Sequence, residues 1–160
     1  MNRPSKVLIQ ASLAIVLCLG LSAWTRHKVY DPDRDPSRDL EAAKIEAAQH
    51  GKKILLSLGG NWCSWCLTFD RFLQENPTVK QHWDDTFVTV KVNISDENRN
   101  EKFLAGYPRV AALPLFFVLN SDGTLVSQQR TGVLEDGKTY SQERVLEFVQ
   151  HAKSLKLAKE

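Results

Sequence analysis

The sequence predicts an α/β domain with a mixed central sheet, helices on both faces, and a C-terminal antiparallel hairpin followed by a helix. Two short apolar runs, 53–58 and 115–119, have the length and composition of buried strands. Residues 86–93 are rich in β-branched side chains and predict a third strand. The turn Ser121-Asp122-Gly123 joins the second apolar run to a return strand at 124–130. Strand–helix alternation that ends in a hairpin is typical of a mixed sheet.

The helical segments lie between and after these strands. We expect helices at about 38–50, 63–75, 77–83, 97–105 and 141–155. Ser37 or Asp39 would cap the first helix and Gly51 would end it. Its expected apolar side comprises Leu40, Ala43, Ile45, Ala47 and Ala48. The expected inner residues of the second and last helices are Leu67, Phe69, Phe72 and Leu73, and Val145, Leu146, Phe148 and Val149. Residues 132–140 are expected to form a loop.

Composition and charge limit the classes of protein to consider. The chain has 160 residues, 42% of them hydrophobic, which is too apolar for a fully disordered protein and suits one domain with a short appendage. The formal net charge is only +2, so no strong basic surface indicates nucleic-acid binding. Four of the 21 basic residues flank an N-terminal apolar run, and all acidic residues follow it.

That apolar run covers residues 7–23 and is preceded by Arg3 and Lys6, the layout of an export signal. Residues 1–28 are therefore expected to be either a cleaved signal peptide or a single-span anchor in the inner membrane; a buried helix of a cytoplasmic protein is the less favoured alternative. Residues 29–39, with two prolines and dense charge, are expected to be a linker. The domain would cover residues 40–155, and residues 156–160 would be a tail. With either kind of N-terminal segment, the domain would be periplasmic or otherwise extracytoplasmic.

The cysteines supply the chemistry. Cys18 lies in the apolar run, whereas Cys63 and Cys66 lie two residues apart where a buried strand passes into a helix. The free N–H groups and positive dipole end of a helix favour a thiolate, which is the reactive form. Cys63 would then be the exposed attacking thiol and Cys66 the shielded resolving thiol. A zinc site would need two further ligands, and a static disulfide in so short a loop would contribute little stability.

At these residues the chain resembles the thioredoxin superfamily, and more specifically exported bacterial thioredoxin-like proteins. The similarity covers about 40–149 and rests on the apolar strand running into Trp62-Cys63-Ser64-Trp65-Cys66, on strand 88–94, and on Val110 to Val118 with its proline. It implies the thioredoxin-like fold. It also implies that Pro114 is a cis proline facing the cysteine pair, that Leu113 presents its backbone to a bound polypeptide, and that Trp62 shields the pair.

The sequence departs from the best-known thioredoxins at several positions. Ser57 occupies the place of a buried acid that serves proton transfer to the resolving thiol, and Lys91 matches a lysine usually found near that acid. Lys91 would either stabilise a thiolate or reach solvent. The dipeptide between the cysteines is Ser64-Trp65, which has neither the Gly-Pro of general reductases nor the histidine of strong oxidants. The reduction potential of the pair therefore cannot be predicted by analogy with either group. Trp65 would either form an apolar docking surface or pack under a neighbouring loop.

The predicted function is thiol–disulfide exchange with exported proteins through Cys63 and Cys66, in either direction. Expected partners are protein thiols and disulfides, with a membrane electron-relay protein as a further candidate and no nucleic acid. We expect no cofactor and no metal. The alternative is a non-enzymatic thioredoxin-like binding or chaperone module whose disulfide is structural, an interpretation motivated by the missing acid at Ser57.

Overall fold

The computed structural model describes residues 28–155; the expected signal or anchor up to residue 27 and the expected tail lie outside the described residues. The elements follow one another as α1 (Pro36–His50), β1 (Lys53–Gly59), α2 (Ser64–Glu75), α3 (Pro77–Thr86), β2 (Phe87–Asn93), α4 (Glu101–Leu104), β3 (Leu115–Leu119), β4 (Leu125–Arg130), a 3-10 turn (Thr131–Leu134), β5 (Glu135–Asp136), β6 (Thr139–Tyr140) and α5 (Gln142–Ser154).

The central sheet has four strands in the order β2-β1-β3-β4. β1 runs parallel to β2 and antiparallel to β3, and β4 returns antiparallel beside β3. In this register Ser57 lies between Lys91 on one neighbouring strand and Phe116 on the other. The mixed sheet with its closing hairpin confirms the predicted fold class.

Helices cover both faces of the sheet, and each face has its own apolar core. One core packs α1 against alternate β1 residues, among them Ile54, Leu56 and Leu58. The other packs α2, α3 and α5 against Leu55 and Phe116. Successive strand residues point to opposite faces, so Ser57 shares the face of Leu55, towards α2. The strand alternation thereby directs Ser57 towards the helix that carries the cysteines.

Helix α1 begins earlier than expected. Its N-cap is Asp35, whose side chain accepts from the Ser37 backbone N–H at 2.9 Å, and Pro36 occupies the first turn, where a missing N–H costs nothing. Gly51 ends the helix in the left-handed region, at φ 64°, as expected. Ile45 and Ala48 were wrongly placed on the buried side, because the helix turns them to solvent.

Two further segments differ from the prediction. The expected helix at 97–105 is reduced to Glu101–Leu104, because Asn98 and Asn100 use their side chains to bond nearby backbone groups instead. Asn100 itself is left-handed, at φ 51°. The expected loop at 132–140 contains a 3-10 turn and a small hairpin whose bend uses Gly137 at φ 59°.

Other differences concern boundaries. Helix α3 continues three residues beyond the expected end at Trp83, and Leu67 and Leu146 are half-buried rather than buried. Among residues 28–155, no helix is both long enough and apolar enough to cross a membrane.

The segment expected to be a linker is part of the folded domain. Tyr30 is 1% exposed, and α1 already begins within 29–39. The carbonyl of Pro32 accepts from the Asn98 side-chain amide at 2.8 Å. The charged, proline-containing composition predicted a linker. It could not reveal that Tyr30 is buried against residues that lie far away along the chain.

Candidate active site

The cysteine pair lies at the N-terminus of α2, in the loop that follows β1. Cys63 and Cys66 are joined by a disulfide, with Cα atoms 5.2 Å apart. Cys63 is the N-cap of α2, and its sulfur accepts from the Cys66 backbone N–H at 3.2 Å. The first turn of α2 contains no acidic residue, so the positive end of the helix dipole acts on the cap sulfur unopposed within that turn. This environment favours a thiolate at Cys63 when the bond is reduced.

Exposure differs between the two cysteines in the expected order. Cys63 is 7% exposed and Cys66 is 1% exposed, so both are buried in the disulfide form, contrary to the expectation of an openly exposed Cys63. The lower exposure of Cys66 follows from its place one turn into α2, beneath the loop. An incoming thiol or disulfide can therefore approach Cys63 more readily than Cys66.

The peptide bond between Leu113 and Pro114 is cis, as the resemblance implied. Leu113 packs against the buried group formed by Tyr30, Cys63 and Cys66, which brings this bond beside the disulfide. The Thr131 hydroxyl donates to the Pro114 carbonyl at 2.9 Å and is itself buried. The 3-10 turn after β4 thus holds the proline loop in place, a role that no local sequence signal assigned to Thr131.

The two tryptophans of the motif have different surroundings. Trp62 is 66% exposed, and its indole N–H donates to the Ile94 carbonyl at 2.7 Å, so the ring lies across the loop after β2. Trp65 is half-buried and packs edge-on against Tyr140. Ser64, the first helical residue of α2, is exposed. Of the two interpretations of Trp65, the structure supports packing against neighbouring structure.

Ser57 and Lys91 lie behind the pair. Ser57 is buried, and its hydroxyl lies 3.0 Å from that of Tyr30. The Lys91 ammonium binds the Asp70 carboxylate at 3.0 Å and lies 5.1 Å from the centre of the Tyr30 ring. Lys91 therefore contacts Asp70 of α2 and the ring of Tyr30. These contacts differ from both expected roles, that of a partner for a thiolate and that of a lysine reaching solvent.

Four residues of this site were missed at the level of sequence: Tyr30, Asn61, Thr131 and Tyr140. Asn61 receives the Tyr30 backbone N–H at 3.1 Å and donates its own amide to the Tyr30 carbonyl. These contacts join positions 31 residues apart, which no local pattern can predict. Among the described residues, no three His, Cys, Asp or Glu side chains are grouped so that they could hold a metal ion.

Comparison with known proteins shows which family this chain belongs to. A sequence profile described as thioredoxin-like matches residues 35–121, more than half of the chain. The chain belongs to the thioredoxin-like family. Its cysteine pair, at disulfide distance on a helix N-terminus of this fold, supports thiol–disulfide exchange. The matched region includes β1, both cysteines and the cis proline.

Two curated relatives are called thiol:disulfide interchange protein DsbD. The protein from Salmonella typhimurium is 28% identical over 95 residues, which cover 59% of this chain and 17% of the relative. That from Escherichia coli K12 is 27% identical over 103 residues, covering 64% and 18%. The matches thus span less than a fifth of the length of these relatives.

Solved structures agree on the fold. A disulphide isomerase from Xylella fastidiosa Temecula1 superposes with a TM-score of 0.66 at 25% identity, covering 77% of this chain and 95% of that one. The C-terminal domain of Neisseria meningitidis DsbD in the oxidised form gives a TM-score of 0.54 at 18% identity, covering 74% and 96%. The second likeness is one of fold alone.

Proposed function

We propose that this protein is a thiol–disulfide oxidoreductase that exchanges disulfides with exported proteins through Cys63 and Cys66. The observation that carries the proposal is the Cys63–Cys66 disulfide capping α2 beside the cis Leu113–Pro114 bond. Together these two features supply a reactive sulfur and a place for a polypeptide beside it.

The exchange proceeds in two steps. In the reducing direction, the Cys63 thiolate attacks one sulfur of a substrate disulfide, forming a mixed disulfide and releasing the other substrate sulfur as a thiolate. The Cys66 thiolate then attacks Cys63, so that the intramolecular disulfide forms and the second substrate sulfur leaves. The substrate gains two electrons and the dithiol loses them; the oxidising direction is the reverse.

A substrate polypeptide would lie along the Leu113–Pro114 bond. Leu113 packs against the cysteine cluster, and its backbone is the group we assign to pairing with an extended chain. The exposed ring of Trp62 offers apolar contact beside Cys63. Trp65 contributes through its exposed portion only, since Tyr140 covers part of its ring.

We place this activity outside the cytoplasm. Support comes from the charged and apolar layout of residues 1–28 and from the names of the DsbD relatives. Residues 1–28 would serve as signal or inner-membrane anchor, and the folded domain would begin at about residue 29 rather than 40. Partners would be protein thiols or disulfides, with a membrane electron-relay protein as the candidate redox partner.

Trapping tests the proposal. With Cys66→Ala, the mixed disulfide on Cys63 cannot resolve, so covalent complexes with exported proteins should accumulate and disappear on reduction. Cys63→Ala with Cys66 intact is the matched control and should give far fewer. A Cys66→Ala protein that traps nothing, together with a wild type that cannot reduce a model disulfide, would overturn the enzyme proposal.

The reduction potential separates this proposal from a structural disulfide. Inert structural bonds in secreted proteins have potentials below about −300 mV, whereas exchange-active pairs lie higher. Equilibration of the wild-type protein with glutathione buffers measures the value directly. A potential below that limit, with function retained when both cysteines are serine, would favour the binding-module alternative.

A further inference from the structure

Tyr30 lies directly against the cysteine pair. It forms one buried group with Cys63 and Cys66, and its side chain is 1% exposed. No element of the sheet or helices requires this contact, because Tyr30 precedes α1 and enters the site from the N-terminal segment. A phenol buried beside a disulfide is therefore a feature of the site rather than of the main cores.

Tyr30 is held from three sides. Asn61, in the loop that carries the cysteines, bonds both its backbone N–H and its carbonyl. The hydroxyl lies 3.0 Å from the Ser57 hydroxyl, and the ring lies under the Lys91 ammonium at 5.1 Å. With backbone, hydroxyl and ring each engaged, the phenol has a fixed position relative to α2.

Gly59 shows how near the phenol is to the resolving sulfur. A Cβ atom on Gly59 would lie 2.7 Å from the Cys66 sulfur and 2.8 Å from the Tyr30 hydroxyl oxygen. The sulfur and the hydroxyl therefore border the same small space, which stays free because residue 59 has no side chain. No backbone atom of another strand or helix is among the three atoms nearest to that position.

We infer that the Tyr30 hydroxyl is the hydrogen-bond donor that stabilises the Cys66 thiolate during resolution of the mixed disulfide. The Ser57 and Tyr30 hydroxyls lie 3.0 Å apart and either can donate; with Ser57 as the donor in the thiolate form, the phenol proton is free to bond the sulfur. The Cys66 proton departs to solvent, the thiolate attacks Cys63, and the Cys63–substrate bond breaks as the intramolecular disulfide forms. The inference rests on the proposed exchange function and gives Ser57 a part in it through Tyr30.

The charged and titratable groups around this position come from three packed elements. Lys91 on β2 lies over the phenol ring and is paired with Asp70 on α2, so its charge is largely balanced locally. Tyr140 on β6 faces Trp65 and donates to the Trp65 carbonyl. The Tyr30 hydroxyl is the one that borders the space beside Gly59 together with the Cys66 sulfur.

Resolution can be timed in the reduced, full-length protein with an aromatic disulfide that releases a coloured thiolate. Attack by Cys63 gives a first phase that depends on reagent concentration. Attack by Cys66 gives a second phase that does not depend on it. We expect Tyr30→Phe to slow the second phase about tenfold at neutral pH, with the first phase unchanged. At alkaline pH, where Cys66 ionises without help, the two proteins should converge.

Two more variants make the test specific. Ser57→Ala should slow the second phase in the same pH-dependent way, though less, and it carries the test if Tyr30→Phe does not fold. Tyr107→Phe, whose ring stacks on Phe117 in the opposite core at 5.3 Å, should leave both phases unchanged.

A second phase with wild-type rate and pH profile in folded Tyr30→Phe would overturn the inference, as would a slowing that persists at every pH. Either result would leave the proposed function standing, provided that the wild type shows both phases. A wild type that shows neither phase would instead overturn the proposed function itself.

Discussion

Trp65, one of the two residues between Cys63 and Cys66, packs edge-on against Tyr140. The ring centroids are 5.5 Å apart with an interplanar angle of 84°. The Tyr140 hydroxyl also donates to the Trp65 carbonyl at 3.3 Å. Since Tyr140 belongs to the small hairpin after β4, the first turn of α2 is supported by a segment some 75 positions along the chain.

Removing the Tyr140 hydroxyl should weaken this support. Tyr140→Phe retains the ring contacts but leaves the Trp65 carbonyl without this donor, so the free energy of unfolding should fall by about 1 kcal/mol. Urea denaturation of the oxidised protein measures it. Tyr107→Phe, whose ring also stacks in a core, is the control and should change the free energy by less. Equal losses in both variants would contradict a specific role of this bond.

Stability should also fall at alkaline pH through Tyr140. Burial, aided by the negative charge of Glu135, raises the pKa of Tyr140 well above its ordinary value. The folded state therefore holds the phenol proton more tightly than the unfolded chain. The associated stability is present below about pH 10 and is lost as the pH rises towards the folded pKa. In oxidised Tyr140→Phe the decline above that pH should be shallower; identical slopes would refute this.

Gly59 should not tolerate a side chain. An added Cβ would lie 2.6 Å from the Tyr30 ring as well as close to the Cys66 sulfur, and both groups are buried. Gly59→Ala should therefore cost about 1–3 kcal/mol in unfolding free energy and disturb resolution by Cys66. Gly106→Ala is the matched control, since the nearest atom would be 3.9 Å away. Thermal denaturation and exchange kinetics compare the two; equal behaviour would contradict the crowding argument.

Cys63 should have a structural effect apart from its chemistry. Its sulfur caps α2 by accepting from the Cys66 N–H. Serine is a good N-cap and alanine is not, so reduced Cys63→Ala should be about 1 kcal/mol less stable than reduced Cys63→Ser. Both variants should lose exchange activity. Denaturant unfolding under reducing conditions measures the difference in unfolding free energy. If Cys63→Ala were the more stable of the two variants, capping of α2 by residue 63 would be excluded.

The Lys91–Asp70 pair should matter more than an ordinary surface pair. The two side chains are 26% and 22% exposed, whereas those of Lys80 and Asp84 are 45% and 54% exposed. Lys91→Met should lower the free energy of unfolding by about 1 kcal/mol, and Lys80→Met by less than about 0.5 kcal/mol. High salt should shrink the Lys80 effect more. Denaturation at two ionic strengths distinguishes them; equal losses would place Lys91 among ordinary surface lysines.

Much of the fold follows from local patterns. Strand β3 has the predicted bounds, and β1 and β2 differ by one residue, because short apolar or β-branched runs between turn residues have few other stable arrangements. The helix at 97–105 was overestimated because side-chain bonds of Asn98 and Asn100 compete with helical ones, and this competition depends on neighbouring strands.

The sequence by itself determined the spacing of Cys63 and Cys66, their place between a strand and a helix, and the proline at 114, since these depend on residues close together in the chain. Only the tertiary structure decided what surrounds the pair. Tyr30 reaches Ser57 and Asn61 across some thirty residues, Thr131 holds Pro114, and Tyr140 supports Trp65. Such contacts arise when separate elements pack, and a segment that looks like a charged linker shows its buried tyrosine only in the folded domain.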